Sequence, residues 1–148
     1  MDTVLEAFQQ IEWSYAEDDP SALAQLERRI SRSGRRGDLL TYSQLVDGIE
    51  FDLPRLADRP HKIDVHSWTQ LDRTIVGNFL GYISMRSYER AGFFASSLVV
   101  NKSDHLPGDG FFGLLHAIGL ISAKDDVRGP IIWDEHLQKA RDWYRHNR

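Results

Sequence analysis

Apolar residues at Val4, Phe8, Ile11 and Tyr15 recur at helical spacing behind Thr3 and Glu6, a pair with the S/T-x-x-E spacing that satisfies backbone N–H groups at a helix start. The pattern predicts an amphipathic helix over 3–16. Asp19 and Pro20 offer an N-cap and a first helical residue for a second helix carrying Leu23, Leu26 and Ile30, which closes near Ser33 and Gly34. After the pair Leu39 and Leu40, long enough only for a strand fragment, Thr41 and Gln44 repeat the capping spacing and open a short third helix with Leu45, Val46 and Ile49. Residues 51–66 hold two prolines and scattered charge. They predict an ordered, irregular connection with an extended piece over 63–65.

Ser67, with Gln70 as cap partner, opens the clearest helix, in which Trp68, Leu71, Ile75, Phe79 and Ile83 form one stripe extended by Leu80. Asp72 and Arg73 fall on its other faces. Gly77 and Gly81 lie four apart, a spacing that either admits a close neighbour or simply weakens the helix. A further helical turn or two stops at Gly92. Phe93 to Val100 then reads as a buried, central strand, Ser96 and Ser97 included. An apolar helix over 112–120, a polar turn and a last helix from Asp134 complete the chain. Trp133, Leu137, Ala140 and Tyr144 give that helix its stripe, and Arg141, Arg145 and Arg148 lie near its C-terminus, where cations complement the dipole.

Composition narrows the classes. The 148 residues, 41% of them hydrophobic, suffice for one continuous core, and no linker, repeat or low-complexity tract divides them, so 1–148 reads as a single domain. A formal net charge of -4 lacks the basic excess of a protein held to nucleic acid by its phosphates. Any such contact requires a local patch. With no cysteine there is no disulfide, thiolate metal site or thiol nucleophile, which fits a cytoplasmic location. Asp2 and Glu6 stand where a signal peptide carries basic and apolar residues, and no run is long enough to span a bilayer. The expectation is a protein without membrane association.

The order of helix, short strand, short helix opened by "TYSQL", longer helix and strand resembles a winged-helix module, with "SSLVVNKSDHLPGDGFF" as strand, wing tip and return strand. The chain also resembles small uncharacterised bacterial proteins that pair a YxxL helix start with an LVVxK…PGxGFF segment. The resemblance implies a mostly helical α+β architecture, a winged-helix-like centre flanked by N- and C-terminal helices. Two features depart from a DNA reader: residues 51–66 are far longer than a helix-turn-helix turn, and the long helix carries no basic cluster before Arg86 and Arg90.

Three sets of residues are candidates for chemistry. Arg28, Arg29, Arg32, Arg35 and Arg36 fall within nine residues and can fork onto phosphates or carboxylates, or stand as a solvated helix end with Glu27 and Asp38 as partners. The loop from Lys102 to Gly110, with His105 and Asp109, suits a tight turn anchored by Phe111 and Phe112. As an anion site it needs N–H groups converging at the next helix start, assisted by Lys102. Asp64 and His66 share a face of an extended segment near His61, and with Asp104 or His105 they define the alternative of a small hydrolase or nuclease. His116 and His136 sit within helices as structural residues. Trp68 and Trp133 read as core, and Trp143 as partly exposed.

The resulting expectation is a non-enzymatic bacterial binding module in a regulatory, toxin-neutralising (immunity) or defence complex, without cofactor or metal. Its contact surface comprises the five arginines with Lys102, His105 and Asp109. A protein partner is favoured over nucleic acid, and a winged-helix nucleic-acid-binding protein is the alternative.

Overall fold

Asp2 starts the first helix in the computed structural model, which describes residues 2–147. Its carboxylate accepts from the N–H groups of Val4 and Leu5, so Asp2 and not Thr3 is the cap of α1 (Thr3–Gln9). The single helix expected over 3–16 is broken by tertiary contacts. Trp13 turns its indole into the core, where Nε1 donates to the Phe8 carbonyl at 3.1 Å, and the Asn78 side chain accepts from Ala16 N and donates to Glu12 O. A separate turn, α2 (Ser14–Asp18), follows.

Asp19 and Pro20 open α3 (Pro20–Arg36) as expected. The helix runs beyond Gly34 to a left-handed Gly37, where Asp38 N donates to Ser33 O. Gly34 is an interior helical residue instead of a stop, because the Tyr144 ring lies directly against its Cα. The strand fragment β1 (Leu40–Thr41) leads into α4 (Tyr42–Val46) through the expected reciprocal cap, Gln44 N to Thr41 Oγ1 at 3.1 Å and Thr41 N to Gln44 Oε1 at 2.9 Å.

Within the irregular connection, β2 (Glu50–Phe51) pairs antiparallel with β3 (His61–Lys62), slightly earlier than the extended piece expected over 63–65. The long helix α5 (Gln70–Ala91) is capped by Thr69 and Asp72 instead of Ser67 and Gln70. It absorbs the later helical turns and ends at a left-handed Gly92.

The segment from Phe93 to Val100 is wholly buried, as the apolar pattern requires, but most of it is not a strand. Ala95–Leu98 forms a 3₁₀ turn, and only β4 (Val99–Val100) is extended. The serines explain the difference. Ser96 N donates to Ser84 Oγ at 3.1 Å and Ala95 N to Ser87 Oγ at 2.9 Å, so side chains of α5 take N–H groups that a ladder would otherwise use. β4 pairs parallel with β1, in the register Leu40 with Val99 and Thr41 with Val100.

The return strand expected after the loop is instead α6 (Asp109–Ala117), which begins earlier than the helix expected over 112–120. The last helix α7 (Arg128–His146) starts a turn and a half before Asp134, with Pro130 tolerated in its first turn. Arg148 lies outside the described residues. The architecture is mostly helical α+β, and one hydrophobic cluster runs from Phe8 to Tyr144, with the 3₁₀ turn packed against α3, α5 and α7. No helix among the described residues is long and apolar enough to cross a membrane.

Candidate functional site

Two parallel strands that end together release their following residues on the same side. After Thr41 the chain continues into Tyr42 and Ser43, and after Val100 into Asn101, Lys102 and Ser103, so these two segments emerge side by side. They form one wall of a cleft of about 560 Å³. The opposite wall is Trp68 and the first half of α5, with Arg73, Val76, Gly77 and Leu80, and the start of α6 from Gly108 to Leu114 closes the third side. The volume is in the range that small ligands or an inserted side chain occupy.

The loop "KSDHLPGDG" holds the third side in place through backbone bonds. Asn101 N donates to Leu106 O at 2.8 Å and His105 N to Asn101 O at 3.0 Å, which closes the loop on itself. Leu106 N donates to Asp104 Oδ1 at 3.0 Å. His105 takes a left-handed φ of 57° to complete this turn. Gly108 N then donates to the Tyr42 hydroxyl at 2.9 Å, tying the loop to α4. Burial raises the Tyr42 pKa; the Gly108 N–H opposes this, and the Asp109 and Asp104 carboxylates add to the rise. The phenol is therefore held neutral. Gly108 is the N-cap of α6 and supplies no side chain to its first turn.

Chemically the cleft is divided. Trp68, Val76, Leu80, Phe111 and Leu114 supply apolar surface, whereas Arg73, Lys102 and Asp109 bring charge and are exposed. Among the described residues Arg73 and Lys102 belong to no ion pair. Gly77 leaves the α5 wall bare, since a Cβ there would meet no heavy atom within 4 Å. The cleft thus combines an apolar lining with charged groups of both signs.

The residues singled out from the sequence separate into groups. Lys102 and Asp109 line the cleft, and His105 sits exposed on the loop outside its lining. None of the five arginines lines it. Arg29 is committed internally, with Nη1 donating to the carbonyls of Gln44, Leu45 and Asp47 at 3.1, 3.0 and 2.8 Å, where it closes the C-terminal end of α4. Arg28, Arg32, Arg35 and Arg36 are exposed on α3.

Asp64 and His66 are exposed and share a local turn, His66 N donating to Asp64 Oδ1 at 3.0 Å, and neither lines the cleft. His61 is paired elsewhere, 2.8 Å from Asp72. Burial raises the Asp72 carboxyl, but the Thr69 N–H, the His61 ring and the Thr69 side chain outweigh it and hold the pKa below the ordinary value. That pair fastens β3 to the start of α5. Among the described residues no three His, Asp or Glu side chains are placed to hold a metal ion.

Sequence reasoning did not single out Tyr42, Trp68 or Arg73 as cleft residues. For this wall the sequence offered only the Gly77 and Gly81 spacing, which either admits a close neighbour or weakens the helix. Comparison with protein-family models, curated proteins and solved structures found no match for this chain.

Proposed function

We propose that this protein is a protein-binding module and that the cleft between α4, α5 and α6 is its recognition site. The observation that carries the reading is the bare Gly77 wall opposite Lys102, in a concavity with an apolar floor and a charged rim. Protein interfaces share that anatomy, an apolar centre that a side chain fills and a polar edge that fixes orientation. A glycine in the exposed middle of a helix costs about 1 kcal/mol relative to alanine, and at position 77 no packing contact offsets it. Room for an approaching partner is a reason to keep it. The recognition site does not depend on a winged-helix-like centre, since the β2–β3 hairpin intervenes between α4 and α5 and α6 takes the place of a return strand.

The test uses Gly77→Leu, which fills the cleft with a good helix former and meets no protein atom near its Cβ. The wild-type chain, tagged and recovered from its native host, is expected to bring down a stoichiometric partner insensitive to nuclease. The leucine variant is expected to lose that partner while melting no lower than wild type. Equal recovery of the same partner by both proteins sinks the cleft as the recognition site.

A further inference from the structure

The arginines of α3 remain, and they make a surface distinct from the cleft. At 3.6 residues per turn Arg28, Arg32, Arg35 and Arg36 fall within an arc of about 100°, and Arg28, Arg32 and Arg36 step along the axis by about 6 Å each. All four are exposed, and among the described residues none belongs to an ion pair. The one acidic side chain of that helix stretch, Glu27, points away from the row to Arg86 of α5, 3.5 Å off. Four guanidinium groups without an ion pair among the described residues therefore share one face of α3, on a chain whose formal charge is -4.

We propose that this ridge binds the phosphate backbone of single-stranded nucleic acid. Charge complementarity selects a polyanion, and α3 itself exposes no large apolar side chain to anchor an acidic protein face. A protein interface draws its energy from buried aromatic or aliphatic anchors, whereas the exposed positions of α3 are Pro20, Ser21 and the four arginines. Guanidinium forks match phosphate oxygens and need no apolar neighbour.

The aromatic element of a single-strand site lies at the flank. Ser31, one turn from both Arg28 and Arg35, lines a shallow groove with Arg90 of α5 and the half-buried Trp143 of α7. Trp143 rests on Phe93 with ring centroids 5.6 Å apart, which fixes its orientation at the groove. Phosphates followed by a cationic row with bases reaching an oriented ring is how sequence-tolerant single-strand binding is built.

The probe is a fluorescein-labelled oligothymidylate, followed by anisotropy across a salt series. Binding at low salt is expected, with log affinity falling against log salt at a slope of about -2 to -3, the value for roughly four neutralised phosphates on a single strand. Changing all four to glutamine (Arg28→Gln, Arg32→Gln, Arg35→Gln, Arg36→Gln) is expected to weaken binding on the order of tenfold or more and flatten the slope, with the urea midpoint unchanged. The matching four lysine substitutions are expected to keep most of the slope. Three results overturn the proposal: no binding at low salt, a slope that the glutamine variant leaves intact, or displacement of the oligonucleotide by polyglutamate as readily as by unlabelled oligothymidylate. The last would assign the ridge to an acidic protein face. Gly77→Leu is expected to bind the oligonucleotide as wild type does, so failure of the ridge is distinct from failure of the cleft.

Discussion

Gly77 and Gly81 stand one turn apart on α5 and are glycine for opposite reasons. A Cβ on Gly81 would run into the six-membered ring of Trp13, which is 6% exposed and pinned by its indole N–H to the Phe8 carbonyl. The buried ring must give up that bond or its packing to yield, so overpacking there costs about 1–3 kcal/mol, more than the gain in helix propensity. A Cβ on Gly77 meets nothing. Gly77→Ala is therefore expected to raise stability by about 0.5–1 kcal/mol, and Gly81→Ala to lower it by about 2 kcal/mol, in urea unfolding followed by tryptophan fluorescence. Equal shifts of the same sign would show that helix propensity alone governs both positions and that the Trp13 ring yields to a Cβ at position 81.

At the scale of the elements, neighbouring arginines of α3 do unlike work. Arg29 reaches three carbonyls where α4 ends, and among the described residues no other side chain closes that end. Hydrogen bonds from a charged donor to otherwise orphaned carbonyls are worth about 1.5–3 kcal/mol in total when partly buried. Arg29→Met, which keeps the aliphatic stem, is expected to cost about 1–2 kcal/mol in urea unfolding, while Arg28→Met stays within about 0.5 kcal/mol of wild type. A neutral Arg29→Met would return all five arginines to one class.

That class is how the sequence presents them, because charge spacing shows the side chains and not their acceptors. What the pattern does show is local chemistry. The Asp19 cap, the Thr41 and Gln44 box and the Gly92 stop need only neighbouring residues, and each is in place. Elements decided by distant partners were not legible. Asn78 splits the first helix from more than sixty positions away, and Ser84 and Ser87 coil a segment whose β-branched, aromatic composition suggests a strand. The cleft was half legible, through the loop from Lys102 to Gly110 and through Gly77. Tyr42 and Lys102 are brought together only because β1 and β4 run parallel, and two-residue strands leave no periodic trace.

Across the whole molecule the central buried segment depends on one titratable contact. His136 of α7 stacks on Phe94 with centroids 3.8 Å apart and an interplanar angle of 5°, and its Nδ1 accepts the Phe94 N–H at 3.1 Å. That bond requires the neutral ring, protonated on Nε2. Burial, with a smaller effect from Lys139, lowers the His136 pKa to about 4, below the ordinary 6.5. The unfolded chain then binds the proton more readily than the folded one, so the contribution is whole above pH 6.5 and is lost as pH falls towards 4. Allowing for partial solvent screening, the loss is on the order of 2 kcal/mol. Asp72, whose pKa is lowered from the ordinary 3.8, loses its contribution as the solution becomes more acid still, so the upper part of the interval reports His136. In urea titrations at a series of pH values between neutrality and the His136 transition, the wild type is expected to weaken steadily. His136→Gln, whose amide oxygen can still accept from Phe94, is expected to be less stable at neutral pH and nearly flat over the same interval. A wild-type curve as flat as the variant's would mean that the buried ring is not what ties acid sensitivity to the core.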